Sequence, residues 1–355
     1  MDKIHRMKAT IAALFALATI ISAPAQTAKV FYAMDSKVVG PSSTIQPRTV
    51  ARMMESLMCG VTGKATVADA WKSLVTPEDK VGIKVSASGR SISGTNPEVV
   101  DAIVAGLHQA GVPSSNIIVW DRNLDDLLAA GFKKDGANYT LRWVDGGAGY
   151  DKYAQISAPI IGKLIWGDRK FGDKTGQQRM ADRLGNPEQL SSSSYYAKVL
   201  STEVTKVINV PSLTDSFMTG INGGLTNMTI SNVDNWRRFA KAASEGDTYI
   251  AEIYADAMIH DKVVLTILDA LILQFAGGPF PNPDYCRPNY SIFASKDPIA
   301  IDATAFRLIE EVRKDNKMPS IRTMTNYVEA GSQLGLGQYD ESRIKTIRVG
   351  IEGIR

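Results

Sequence analysis

Two rhythms of apolar and polar positions run along the chain. VGIKVSAS (81–88), NIIVWDR (116–122), TLRWVD (140–145) and EVTKVINVPSL (203–213) are short, largely apolar runs of strand length, and near-continuous runs of this kind suit strands buried on both faces. Between them the spacing changes to that of helices. Val50, Met53, Met54, Leu57 and Met58 form one stripe within 47–59, and Val99, Val100, Ile103, Val104 and Leu107 form another. The second stripe starts at Asn96-Pro97-Glu98, where Asn is a natural N-cap, Pro suits the first turn and Glu the positive end; Gly111 stops it. Leu124, Leu127 and Leu128 mark a short helix closed by Gly131. Strands alternating with helices predict an α/β fold with a mostly parallel sheet and helices on both faces.

Farther along, Leu225, Met228, Val233, Trp236 and Ala240 share one helical face, and residues 250–276 read as a largely apolar helix ended by Gly277-Gly278-Pro279. SIFASKD (291–297) predicts a strand, and DPIAIDATAFRLIEEVRK a helix with Asp297 as N-cap. KVFYAMD (29–35) opens this part of the chain with a compact apolar run, and TIRVGI (346–351) can add a last strand. From 146 to 194 the rhythm is lost: glycines mix with both charge signs in GDRKFGDKTGQQRMADR, and a serine run follows. This reads as a long irregular insertion over the sheet edge, either functional or a solvated insert.

The first residues do not belong to that pattern. Lys3, Arg6 and Lys8 precede an apolar run from Ala9 to Ile21, and Ala23-Pro24-Ala25 places small residues where a signal peptidase cuts. The run is shorter than the ~20 residues of a membrane span. Residues 1–25 are therefore expected to be a signal peptide and 26–355 a single α/β domain, exported to the periplasm or secreted, with no stable membrane span after the leader is removed. Losing Asp2, Lys3, Arg6 and Lys8 takes most of the excess out of 40 basic against 37 acidic residues, and no basic tract remains to argue for nucleic acid.

The side-chain inventory excludes several chemistries. His108 and His260 are isolated, and neither HExxH nor a nucleophile–base spacing occurs. Cys59 and Cys286 show no CxxC pattern, so no cysteine-ligated iron–sulfur cluster is expected; whether the two pair is open, with free thiols the simpler reading. Gly220-Ile221-Asn222-Gly223-Gly224 matches neither GxxxxGK[ST] nor GxGxxG. Its setting is still suggestive, because a glycine loop between a strand and a helix presents unpaired N–H groups at the sheet's carboxyl edge. Gly223 and Gly224 permit close backbone approach, and Asn222, Asn227 and Asn232 offer donors and acceptors without fixed charge. The same asparagines also serve routinely as turn and cap residues. Lys84 lies inside an apolar strand, where an ammonium needs a partner; Asp121 and Arg122 end the next strand and Asp215 follows VINVPSL. Asp269 and Asp302 sit among apolar residues, with a burial cost if ionised.

Several segments together resemble one family, the proteins grouped as domain of unknown function 362. They are DKVGIKV (79–85), TNPEVVDAIVAGLHQAGV (95–112), IIVWDR (117–122), VINVPSL (207–213), TGINGGLTNMTISNV (219–233), DKVVLTILDAL (261–271) and ASKDPIAIDATAFRLIEEVR (294–313). The resemblance implies a single α/β domain. Some relatives carry ferredoxin-type cysteine clusters, which this chain lacks. Relatives also tend to place Lys and His where this chain has Thr214 and Ser216, Lys where it has Thr226, and Asn where it has Ser86. The family's presumed site is thus blunted here, toward a less anionic ligand or toward loss of activity.

The residues support an enzyme or ligand-processing protein for a small anionic or carboxylate ligand. Lys84 and Asp215 are its candidate acid/base groups, and Arg122, Asn222, Gly223, Gly224, Asn227 and Asn232 its binding residues. The alternatives are a non-catalytic binder of a small ligand or metal-bound anion, and a partner-docking protein with a degenerate site. The sequence names no cofactor, metal or protein partner.

Overall fold

The computed structural model describes residues 27–156 and 193–351; the expected leader (1–25) and most of the 146–194 insertion lie outside the described residues. In chain order come β1 (Ala28–Met34), α1 (Pro47–Thr62), α2 (Val67–Lys72), β2 (Val81–Val85), α3 (Arg90–Ser93), α4 (Pro97–Gln109), β3 (Ile117–Asp121), α5 (Leu124–Ala130) and β4 (Thr140–Trp143). After β5 (Tyr150–Gln155) and β6 (Tyr195–Ala197) follow β7 (Lys206–Val210), β8 (Ser212–Ser216), β9 (Gly220–Ile221), α6 (Gly224–Met228), α7 (Arg237–Ser244), α8 (Tyr249–Ala255) and α9 (Ala257–His260). The chain closes with β10 (Val263–Gln274), β11 (Cys286–Ser295), α10 (Pro298–Asp315), α11 (Asn326–Gln333) and β12 (Ile344–Arg348).

One sheet organises the fold, in the order β12-β1-β11-β10-β7-β2-β3-β4. From β10 to β4 every neighbouring pair is parallel; β11 runs antiparallel to both β1 and β10. The sheet is therefore mixed but mostly parallel, as its continuous apolar runs predict. Pro211 divides β7 from β8, and both lie beside β10: Val263–Thr266 pairs with β7, whereas Asp269 and Gln274 pair with Ser212 and Thr214 of β8. The alternating side chains of β2 and β3 feed two cores. Ile83 and Val119 meet Met53, Leu57, Trp71, Val100 and Ile103 on one face. On the other, Trp120 and Val207 join Leu225, Phe239, Ile253 and Tyr254. Each fully buried large apolar side chain contributes roughly 1.5–3 kcal/mol relative to exposure.

Three expectations are corrected. Residues 250–276 are not one helix: α8 and α9 end at His260 and the rest is the twelve-residue strand β10. Its apolar residues are buried on both faces, so helical spacing was there by default, and its Val, Ile and Thr suit a strand. The helix expected through Leu225–Ala240 is broken into α6 and α7, with Thr229 at φ −98° and ψ −84° and Asn235 at φ +50° between them. Part of the 146–194 stretch is regular, since β5 pairs with β6 as a separate antiparallel ribbon. Asn96 occupies the N-cap of α4 but does not cap with its side chain, which donates to Asp269 instead. Asp297 caps α10 as expected, accepting from Ile299 N and Ala300 N.

Candidate functional site

Lys84 is the centre of the site. β2 carries it to the sheet's carboxyl edge, where it is wholly buried. Its ammonium spends all three protons inside the protein: on Asp121 Oδ1 at 2.6 Å, Val85 O at 2.7 Å and Asn227 Oδ1 at 2.9 Å. Burial depresses its pKa, and Asp121 partly offsets that. The other oxygen of Asp121 accepts from Ala87 N, so the carboxylate also fixes the chain leaving β2. Asn227 answers Lys84 twice. Its amide nitrogen donates to Lys84 O and to Asn209 Oδ1, while Asn209 Nδ2 reaches Gly224 O.

The glycine loop holds a carboxylate from its own chain. Gly224 N and Leu225 N donate to the two oxygens of Asp302, at 2.6 and 2.9 Å. A Cβ on Gly223 would lie 2.7 Å from that carboxylate, which is why the position is glycine. Of the two glycines expected to cradle a ligand, Gly224 is corrected: its N–H is taken by Asp302, one of the aspartates set among apolar residues. Burial pushes the Asp302 carboxyl up to about 7 despite its two N–H donors. Asn232 is likewise internal, accepting from Trp120 Nε1 and donating to Asn227 O and Met228 O.

Arg122 follows Asp121 directly and its charge acts on Lys84, but its hydrogen bonds, like those of Asp215, go elsewhere. Arg122 binds Asp145 Oδ2, Tyr150 OH, Ile230 O and Val233 O, and stacks over Trp236, so it clamps the 230–236 segment. Asp215 accepts from Gly278 N and holds the loop after β10; burial raises its pKa. Lys84 and Asp215, the candidate acid/base groups, are both buried and hydrogen-bonded within the protein. His108 and His260 are exposed, beside Ser114 and Asp261. Cys59 and Cys286 are half-buried and unpaired. Among the described residues no cluster of three or more His, Cys, Asp or Glu could hold a metal ion.

What the edge does present is a group of hydroxyls. Asn222 Nδ2 donates to Ser86 Oγ at 2.6 Å, Ser212 Oγ lies 3.5 Å from Ser86 Oγ, and Asn222 N donates to Thr214 O. Thr214 Oγ1 is buried with no hydrogen-bond partner, and so is Ser93 Oγ on α3, which packs against β8 and β10. On α3 Arg90 adopts a left-handed φ of +51°, a strain that non-glycine residues keep where the surroundings impose it. Of the four blunted positions, Ser86 and Thr214 join this group, whereas Ser216 and Thr226 spend their hydroxyls on their own turns. Sequence reasoning missed Asn209, Ser93 and Ser212. Asn209, a polar residue within VINV, carried the same signal as Lys84; Ser93 and Ser212 carried none. A cavity of about 410 Å³ runs along α4, lined by Asp101, His108, Lys133 and Tyr139 among others, and none of the sequence-predicted site residues lines it.

The fold and this edge define an α/β protein with a buried lysine–carboxylate network beneath a hydroxyl cluster. Residues 183–307 match the family model described as Domain of unknown function (DUF362). The chain resembles that family, as its segments suggested, over the stretch holding the glycine loop, β10 and the start of α10. A search of curated proteins found no match. A crystal structure of a protein from Thermotoga maritima is similar at 11% identity and a TM-score of 0.38, over 81% of this chain; the chain spans 59% of that protein's length.

Proposed function

We propose that the protein binds a small carboxylate or comparable oxyanion at the carboxyl edge of β2, β7 and β8, without itself transferring protons. The observation that carries this reading is the Ser86–Ser212–Asn222 cluster together with two buried hydroxyls that lack a partner, Thr214, two residues along β8 from Ser212, and Ser93 on α3, which packs against β8 and β10. A buried hydroxyl without a partner costs about 1–3 kcal/mol, and an arriving oxyanion would recover it by accepting from these donors. The cluster itself carries no charge, and Lys84 beneath it is already paired with Asp121. That balance suits a singly charged ligand better than a phosphate ester. The depressed pKa of Lys84 favours an enzyme as the second reading, but all three of its protons are engaged.

Thermal unfolding with acetate, benzoate, phosphate and nucleotides tests the proposal. A ligand at a hundred times its dissociation constant adds about 2.7 kcal/mol, a shift of several degrees. Carboxylates should raise the midpoint of the wild type, and Thr214→Val and Ser86→Ala should abolish the shift. Equal shifts in the variants would place the ligand elsewhere. We also propose export: amino-terminal sequencing of protein from the extracytoplasmic fraction should start at Gln26, and an uncleaved Met1 would refute it.

A further inference from the structure

Two aromatic rings stand exposed at the same edge of the sheet. Phe217, at the tip between β8 and β9, is 56% exposed, and Phe280, in the turn after β10, is 57% exposed. Their centroids are 6.4 Å apart with the planes at 30°. Two adjacent phenyl rings left in water are unfavourable unless something covers them.

Buried polar groups hold the pair in place. Phe217 N donates to Gly278 O, and Gly278 N donates to the buried carboxylate of Asp215. From the other side Gln274, wholly buried, donates to Phe280 O and accepts from Asn282 N. Gln274 is the β10 residue in register with Thr214. The strand position that carries the unpartnered Thr214 hydroxyl is thus the neighbour of the one that pins the second ring. Phe217 lies three residues beyond Thr214, about 10 Å at the rise of a strand.

We propose that Phe217 and Phe280 form a preset platform for the apolar end of the ligand, which makes the ligand an amphipathic acid, an aryl-alkyl carboxylate, rather than a small acid such as acetate. This rests on the carboxylate reading of the hydroxyl cluster. Asp215 and Gln274 then act as positioning residues for the platform, through the loop after β10 that they hold.

Calorimetric titration of the protein with acetate and with 4-phenylbutyrate tests the inference, using the wild type, a Phe217→Ser/Phe280→Ser variant and Thr214→Val. Both rings are exposed, so replacing them leaves the core intact. The wild type should bind 4-phenylbutyrate about tenfold more tightly than acetate, the scale of one favourable aromatic contact. The serine variant should bring the two affinities close together, and Thr214→Val should weaken both. A preference for 4-phenylbutyrate that survives the serine variant would overturn the platform, while loss of both ligands in Thr214→Val would leave the carboxylate reading standing. If neither acid binds the wild type, both fall. Cosedimentation with phosphatidylglycerol vesicles that the serine variant loses, with 4-phenylbutyrate affinity unaltered, would assign the rings to a lipid surface and overturn the proposal.

Discussion

Single residues decide this site by how they satisfy one another. Lys84 is tolerable in a closed interior because Asp121, Asn227 and Val85 O take its three protons. Asp121→Asn should therefore cost about 3–5 kcal/mol, the penalty for stranding a buried charge, and Lys84→Met in the same chain should recover part of it; urea unfolding of the two single variants and the double variant measures both. Asp302 makes a pH prediction. Its folded pKa of about 7 exceeds that of an unfolded aspartate, so the native state holds the proton longer. Its contribution to stability should then fall as pH rises from about 4 to about 7, by an amount on the order of a few kcal/mol. Asp269, pushed up by burial to about 6, acts in the same direction over a narrower window. The unfolding free energy of the wild type relative to Asp302→Asn should decline across that range; a constant difference would show that Asp302 is ionised throughout.

At the scale of elements, the glycine loop and the long strand explain each other. Beside β10, β7 supplies Asn209 and β8 supplies Thr214, and α10 brings Asp302 under the loop that joins β9 to α6. Gly223 has its side-chain position filled by Asp302, so Gly223→Ala should cost about 1–3 kcal/mol by overpacking and should loosen Asn227 from Lys84. Hydrogen exchange at the Gly224 and Leu225 amides reads this directly, since protection equal to that of the wild type would mean that the loop adapts without letting go of Asp302. The elements also show where the sequence was legible. β2 and β3 were readable because each is a short apolar run before a polar end, and α10 because Asp297-Pro298 marks its start. β10 was not, because Val263–Gln274 is buried on nearly every side and hence lacks the alternation that separates a strand from a helix. The break after α6 escaped for a different reason: Thr229 and Asn235 leave helical geometry without a proline or glycine between them to announce it.

For the whole molecule, the sequence foretold which residues gather at the sheet's carboxyl edge better than it foretold their partners. Lys84 and Asn227 do meet, across 143 residues of chain, and Asn222 reaches Ser86 across 136. Which donors were already occupied could not be read, because Asp302 approaches Gly224 from 78 residues downstream. The Thr214 and Ser93 hydroxyls are unpartnered only in three dimensions, so no spacing in the sequence foretells them. A carboxylate received by these hydroxyls would make an aryl-alkyl acid sensitive to the Thr214 side chain. The most direct measurement is a calorimetric titration of 4-phenylbutyrate into the wild type and into Thr214→Val, which keeps the shape and removes the hydroxyl. One-to-one binding by the wild type, weakened about tenfold or more in the variant, is the expected result. Equal affinity in the two proteins, or no binding to either, would contradict it.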